Sequence, residues 1–237
     1  MTDISVILPI KLPADNEWLI ELTEFAVNTM RMHTKKKFEL IILESGGREL
    51  KGLADVHIRC PAESNYVRDF NSGLEIASGK YIVRASNEIL VGAEWLDALM
   101  EPFDRIPDCG ISSISVVENG ALIGSQECSR QIVEGIYGAL MMFRAGWKFD
   151  EAFIGPHADS DLIMRIYQAG LRAYRNHRSM AYHLNGMGDP KNVSEKIRAE
   201  QLREADMLFK ARYKDSPLWA ARMILRGGVL YGREHES

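Results

Sequence analysis

Cysteine is scarce. Cys60, Cys109 and Cys128 are the only thiols among 237 residues, and none forms a C-x-x-C pair. Neither a zinc cage nor a disulfide framework is therefore expected, and the thiols read as buried or inert. No apolar run approaches the roughly 20 residues a membrane span needs. Met1-Thr2-Asp3-Ile4 also lacks the basic stretch and apolar core of a secretory leader, so the expectation is a soluble, cytoplasmic protein. No glycine-rich turn follows the first apolar stretch, which reads Leu8-Pro9-Ile10-Lys11-Leu12-Pro13. That removes the phosphate cradle of a dinucleotide-dependent dehydrogenase, a methyltransferase or a sugar nucleotidyltransferase. Low-complexity segments and internal repeats are absent as well.

What the chain does have is 46% hydrophobic residues, enough for one large domain or a domain with a small appendage. Its net charge is -4, unevenly spread: residues 1–190 hold 19 basic and 26 acidic side chains, residues 191–237 hold 10 and 7. The basic tail would suit an anionic membrane surface or nucleic acid. Glu195, Glu200, Glu204 and Asp206, however, alternate with Lys196, Arg198, Arg203 and Lys210, as on a solvated helix. Nucleic acid is the least supported partner, with only Arg222 and Arg226 to offer phosphates.

Periodicity predicts strands at Ser5–Leu8, Phe38–Leu43, Val56–Ile58 and Lys80–Ala85. Between them fall helices over 16–31, with Trp18, Leu19, Leu22, Phe25, Ala26 and Met30 on one face, and over 66–77. This alternation is that of an α/β half with a mainly parallel sheet. A helix from Gly92 to about Pro107 and strands at Gly110–Val117 and Gly138–Phe143 follow, separated by a Gly-, Ser- and Gln-rich loop over Glu118–Glu134. After Pro190 the pattern becomes helical, over 193–214 and again past Ser216-Pro217. There Leu218, Trp219, Met223, Ile224 and Leu225 make a short stripe, a core surface or a peripheral membrane contact. The expected division is 1–190 as one domain and 191–237 as a helical appendage.

The chemistry concentrates after residue 148. Residues 159–169 read as a helix with Leu162, Ile163, Ile166 and Ala169 apolar. Asp159 stands at its start, where the dipole favours an acid. As a helix N-cap, Asp159 would need no other role. Asp161 and Arg165, four apart on one helix face, are expected to form a structural ion pair, and the other histidines, including His157 and His177, carry no expected role.

Phe149-Asp150-Glu151, Asp159-Ser160-Asp161-Leu162, Arg165, Gly170 and Tyr182-His183-Leu184-Asn185-Gly186 together resemble the "FDE … EDxDL … R … G … H" signature of family 2 glycosyltransferases. Leu40-Ile41-Ile42-Leu43-Glu44-Ser45-Gly46-Gly47 is similar to that family's strand and turn beside the nucleobase. Asn71-Ser72-Gly73-Leu74-Glu75-Ile76-Ala77-Ser78-Gly79-Lys80-Tyr81-Ile82 is similar to its "NxGxxxAxGxYI" run. Pro9-Ile10 resembles its strand-proline opening. Ser86-Asn87-Glu88 falls at its metal motif, with Ser86 in place of an acid, and Ala158 stands where a glutamate is usual. Gly138–Arg144 is similar to its strand before "FDE", with the methionines read as core.

The resemblance implies the GT-A fold: a mainly parallel central sheet flanked by helices, with the C-terminal appendage. It implies transfer of a sugar from a nucleotide-diphosphate donor to an acceptor hydroxyl, on a glycan or another molecule, with inversion. Asp159 would be the general base. Glu88 and His183 would hold Mn²⁺ or Mg²⁺, and Pro9, Ile10, Glu44, Asn71, Ser86 and Asn87 would line the donor site. The competing reading is a non-catalytic relative of the fold that binds a nucleotide sugar or glycan, or assembles with partner enzymes.

Overall fold

The computed structural model describes residues 2–13, 16–48, 50, 52–118, 121–123, 132–134, 140–154, 157–184 and 195–216. Strand β1 (Ile4–Ile10) is buried along almost its whole length, the mark of a strand covered on both faces. It pairs in parallel with β2 (Glu39–Glu44) on one side and β4 (Tyr81–Arg84) on the other, and β2 pairs in parallel with β3 (Val56–Arg59). The remaining strands are β5 (Ile89–Val91), β6 (Cys109–Glu118), β7 (Ala121–Ile123), β8 (Ile132–Glu134), β9 (Met141–Arg144) and β10 (Arg172–His183). The sheet runs β3-β2-β1-β4-β9-β6-β10-β5, with β7 on β6 and β8 on β10. It is mostly parallel; β9 is antiparallel to β4 and β6, and β5 to β10.

Alternation along the strands gives each face its own core. Val6, Leu8, Leu40, Ile42 and Val83 face helices α1 (Glu17–Met32) and α3 (Trp95–Arg105). Ile7, Ile41, Leu43 and Ile82 face α2 (Tyr66–Ile76), α4 (Ala158–Gln168) and α5 (Glu195–Tyr213). The fully buried Trp95 donates its indole N–H to the Met30 carbonyl, 2.9 Å, tying α3 to α1.

The Asn71–Ile82 run is explained by close approach. A Cβ on Gly73 would lie 2.7 Å from Ile7 Cγ2, and one on Gly79 would lie 2.5 Å from the Ser5 nitrogen. Any larger residue would push α2, or the chain entering β4, off the sheet.

Three expectations need correction. Trp18 and Phe25 are 39% and 56% exposed; the buried stripe of α1 is Leu19, Leu22, Ala26, Val27 and Met30, about a third of a turn away. The stretch over Glu118–Glu134 is not only loop: β7 folds back on β6 with Glu118 opposite Ala121, and β8 pairs with β10. The intervening Asn119-Gly120 is a hairpin signal in its own right. Where the sequence suggests only a short strand at Ala173-Tyr174, β10 reaches from Arg172 to His183. Its polar middle, Arg175 and Asn176, is buried between neighbouring strands.

The methionines of β9 are core, as expected. Burial raises the Cys60 and Cys109 thiols to about 12, so almost no thiolate exists at neutral pH. Among the described residues no helix is long and apolar enough to cross a membrane. Cys128, Gly138 and the stripe from Leu218 to Arg226 lie outside the described residues.

Candidate functional site

From β1 the chain moves outward through β2 and β3, then returns to place β4 on the other side of β1. The carboxyl ends of β1 and β4 thus flank a topological switch point, where open α/β sheets form their ligand crevice. Pro9 and Ile10 end β1, Glu44 ends β2 opposite Ile10, and Arg84 ends β4, with Ser86, Asn87 and Glu88 following. Of the donor residues expected from the sequence, Pro9, Ile10, Glu44, Ser86 and Asn87 therefore share one edge of the sheet, while Asn71 lies on α2.

Their side chains differ in how far they are already engaged. Glu44 is fully buried, and its two oxygens accept the backbone N–H groups of Gly46 and, at 2.9 Å, Gly47. The carboxylate is spent on its own turn. Ser45 donates its backbone N–H to the Ile10 carbonyl, 3.1 Å, which closes the turn against β1. Asn87 is buried and its amide donates to Thr23 Oγ1 on α1, 3.2 Å. Asn71, buried on α2, donates to the Phe149 carbonyl and accepts the Phe149 N–H, both at 3.0 Å, and also reaches Glu151 Oε1 at 3.2 Å. It ties the Phe149-Asp150-Glu151 segment to α2.

On the second face, beside the β4 end, a polar group assembles that sequence reasoning did not anticipate. The Arg84 guanidinium lies 5.5 Å from the centre of the Tyr66 ring, within cation–π range. Burial pushes the Tyr66 phenol well above its usual range; Arg84 opposes that rise and Asp159 adds to it. Tyr66 therefore lies within electrostatic reach of both Arg84 and Asp159. Asp159 is part-exposed. Among the described residues it accepts one hydrogen bond, from the Ser160 N–H at 2.8 Å. It is not the N-cap of α4: that position is His157, which sits in the left-handed region at φ 67° with no side-chain cap bond.

Asp161 contrasts with Asp159. It is completely buried and bonded by Arg165 Nε at 2.8 Å, as expected, and also by Arg212 Nη1 and the Tyr213 hydroxyl, each at 2.6 Å. The last two come from α5. His157 Nε2 is 2.8 Å from Asp206 Oδ1 on the same helix, and its ring stacks on Phe209 at 5.1 Å. Asp206 is thus no solvated member of a charge ladder. The spacing of Ala205, Phe209 and Tyr213, four apart and all buried, is the sequence signal that this helix is docked.

The two residues expected to ligate a cation stand side by side: His183 pairs with Ile89, and Leu184 donates its N–H to the Glu88 carbonyl at 2.9 Å. Among the described residues Glu88 Oε2 is buried without a hydrogen-bond partner, so it would fit one coordination position. His183, at the end of β10, donates Nδ1–H to Glu118 Oε1 at 3.2 Å. Among the described residues no group of three or more His, Cys, Asp or Glu side chains could hold a metal ion.

Solved structures share this architecture. The Staphylococcus aureus TarS fragment 1–349 superposes with a TM-score of 0.61 at 11% identity, covering 92% of this chain and 74% of that one. The same fragment in complex with UDP gives 0.63 at 13% identity, covering 89% of this chain and 66% of that one. For the longer TarS structure the score is 0.62 at 12% identity, and this chain spans 40% of its length. The fold is that of the GT-A glycosyltransferases. No protein-family model and no curated protein sequence matches the chain.

Proposed function

We propose that this chain is an inverting glycosyltransferase that uses a nucleotide-diphosphate sugar, with Asp159 as general base. The observation that carries the proposal is the Arg84 guanidinium packed on Tyr66 at the end of β4, with Asp159 within electrostatic reach of the same tyrosine. The fold shared with a UDP-bound structure supports the donor class. The nucleobase lies between Pro9-Ile10 and the rim of the Glu44 turn, whose carboxylate shapes the slot rather than bonding the base. The diphosphate faces Ser86. Asn87 and Asn71 act through the backbone they hold in place.

In the reaction the acceptor oxygen attacks the anomeric carbon from the face opposite the nucleotide. Its proton passes to the Asp159 carboxylate as the carbon–oxygen bond to the diphosphate breaks, and the bonding pair leaves with the diphosphate. Inversion follows from that in-line geometry. Charge growing on the leaving diphosphate needs a fixed cation, and the Arg84 guanidinium, a planar donor fork suited to phosphate, supplies one. Among the described residues the divalent ion implied by the resemblance would find the Glu88 oxygen as one ligand, and no step here depends on it.

The test is thermal stabilisation by UDP-, GDP-, CMP- and dTDP-sugars, each with and without Mn²⁺, followed by release of nucleotide from whichever sugar binds. One nucleotide should stabilise the protein. Asp159→Asn should keep that shift while losing turnover by about 10²–10⁴-fold. Binding without turnover in the native protein would favour the non-catalytic relative instead, and no binding at all would sink the reading.

A further inference from the structure

Two residues before Asp159 the backbone does something costly. His157 holds φ 67°, a conformation unfavourable for any residue with a Cβ, and it caps α4 without any of the usual oxygen-bearing side chains. Such a residue persists only where its surroundings over-determine it. Here the surroundings are α5. Asp206 accepts from His157 Nε2 at 2.8 Å; a carboxylate can only accept, so this nitrogen carries the proton. Phe209 stacks against the other side of the same contact, 5.1 Å between centroids. Four residues further along α4, the fully buried Asp161 takes Arg212 and Tyr213 from α5 at 2.6 Å each. Arg212 also holds Asp150, which follows Phe149, at 2.6 Å.

Asp159 lies between these two clamps. Its neighbours at 157 and 161 are both fastened to α5, whereas among the described residues Asp159 accepts only the adjacent Ser160 N–H. A carboxylate left in that state owes its direction to the backbone on either side. We infer that α5 belongs to the catalytic unit as a brace: Asp206 through His157, and Arg212 with Tyr213 through Asp161, set the position of the first turn of α4 and so aim Asp159 at the acceptor. Asp206 and His157 are positioning residues and touch no substrate. The inference rests on the reading of Asp159 as base.

Asp206 is the residue to change, because its side chain is 37% exposed and its loss leaves the Ala205, Phe209 and Tyr213 stripe in place. Nucleotide release from the stabilising sugar donor is measured alongside calorimetric binding of the matching nucleoside diphosphate. Asp206→Ala should lower kcat about 10–100-fold, as loss of an outer-shell partner or a displacement near 1 Å does. KM and nucleotide affinity should stay within about twofold. Asp206→Asn, which keeps an acceptor oxygen for His157, should recover kcat to within about threefold of the native protein. Independently of turnover, hydrogen exchange at the amides of residues 160–163 should quicken in Asp206→Ala while β1 and β4 stay protected.

Unchanged exchange at those amides overturns the inference. So does a kcat within twofold of native, an Asp206→Asn variant as impaired as Asp206→Ala, or a joint loss of kcat, nucleotide affinity and thermal stability, which would mean general loosening. Failure of the underlying reading shows separately, as undiminished turnover in Asp159→Asn.

Discussion

The turns that follow β2 and β4 sit two strands apart at the same edge of the sheet, and each presents a glutamate, yet they are chemically opposite. Glu44 has both oxygens filled by the N–H groups of Gly46 and Gly47. Glu88 keeps Oε2 buried with no hydrogen-bond partner. Burying a carboxylate without partners is expensive, so the first arrangement serves the fold and the second is tolerated at a cost. The same division recurs on α4, where Asp161 is saturated by three donors and Asp159 is nearly bare. In both places the saturated acid builds structure, and the bare one is the acid to which the resemblance assigns chemistry. Carboxylates here can be sorted by what already satisfies them.

The largest effect that would test this division comes from closing off Glu44. Glu44→Ala removes the acceptor of two backbone donors, those of half-buried Gly46 and exposed Gly47, and should lower stability by about 1–3 kcal/mol in urea unfolding. Glu44→Gln keeps one acceptor and should fall between. A loss below about 1 kcal/mol for Glu44→Ala would mean water replaces the carboxylate and the contrast with Glu88 is empty. At the other turn, Glu88→Gln removes a poorly satisfied charge and should leave stability within about 0.5 kcal/mol of native, or raise it. A loss above about 1.5 kcal/mol would show that Glu88 is bound into the fold as firmly as Glu44.

The sequence revealed the parts whose signal is local. Runs such as Ser5-Val6-Ile7-Leu8 and Leu40-Ile41-Ile42-Leu43 announce buried parallel strands. The glycines at 73 and 79 mark where α2 and the β4 approach touch the sheet. Strand β10 was hidden because Arg175-Asn176-His177-Arg178-Ser179 alternates no apolar residues, and its burial is decided by the strands beside it. At the site, Asp159 and the Ser86-Asn87-Glu88 turn were legible as positions. The partnership of His157 with Asp206 was not: those residues are 49 apart, and nothing in a helix of alternating charges says which acid meets a buried histidine. Asn71 shows a subtler limit, since the motif gave its position while only the structure showed its amide spent on Phe149.

The smallest effect concerns a ring nitrogen in the same state as the Glu88 oxygen. His177 shares Nδ1 with Ser115 Oγ at 2.7 Å, while among the described residues its Nε2 is buried without a hydrogen-bond partner. Burial first, and then the neighbouring Arg175 guanidinium, hold its pKa below the usual 6.5. A base whose pKa is lowered on folding binds its proton more readily in the unfolded chain, so acid favours unfolding. Stability carried by neutral His177 is therefore complete above pH 6.5 and declines as the pH falls from there toward the lower folded value. His177→Gln should flatten that decline in urea titrations at stepped pH, leaving only the slope from carboxylates at lower pH. An unchanged slope would mean that His177 takes its proton as easily in the folded protein as in the unfolded chain.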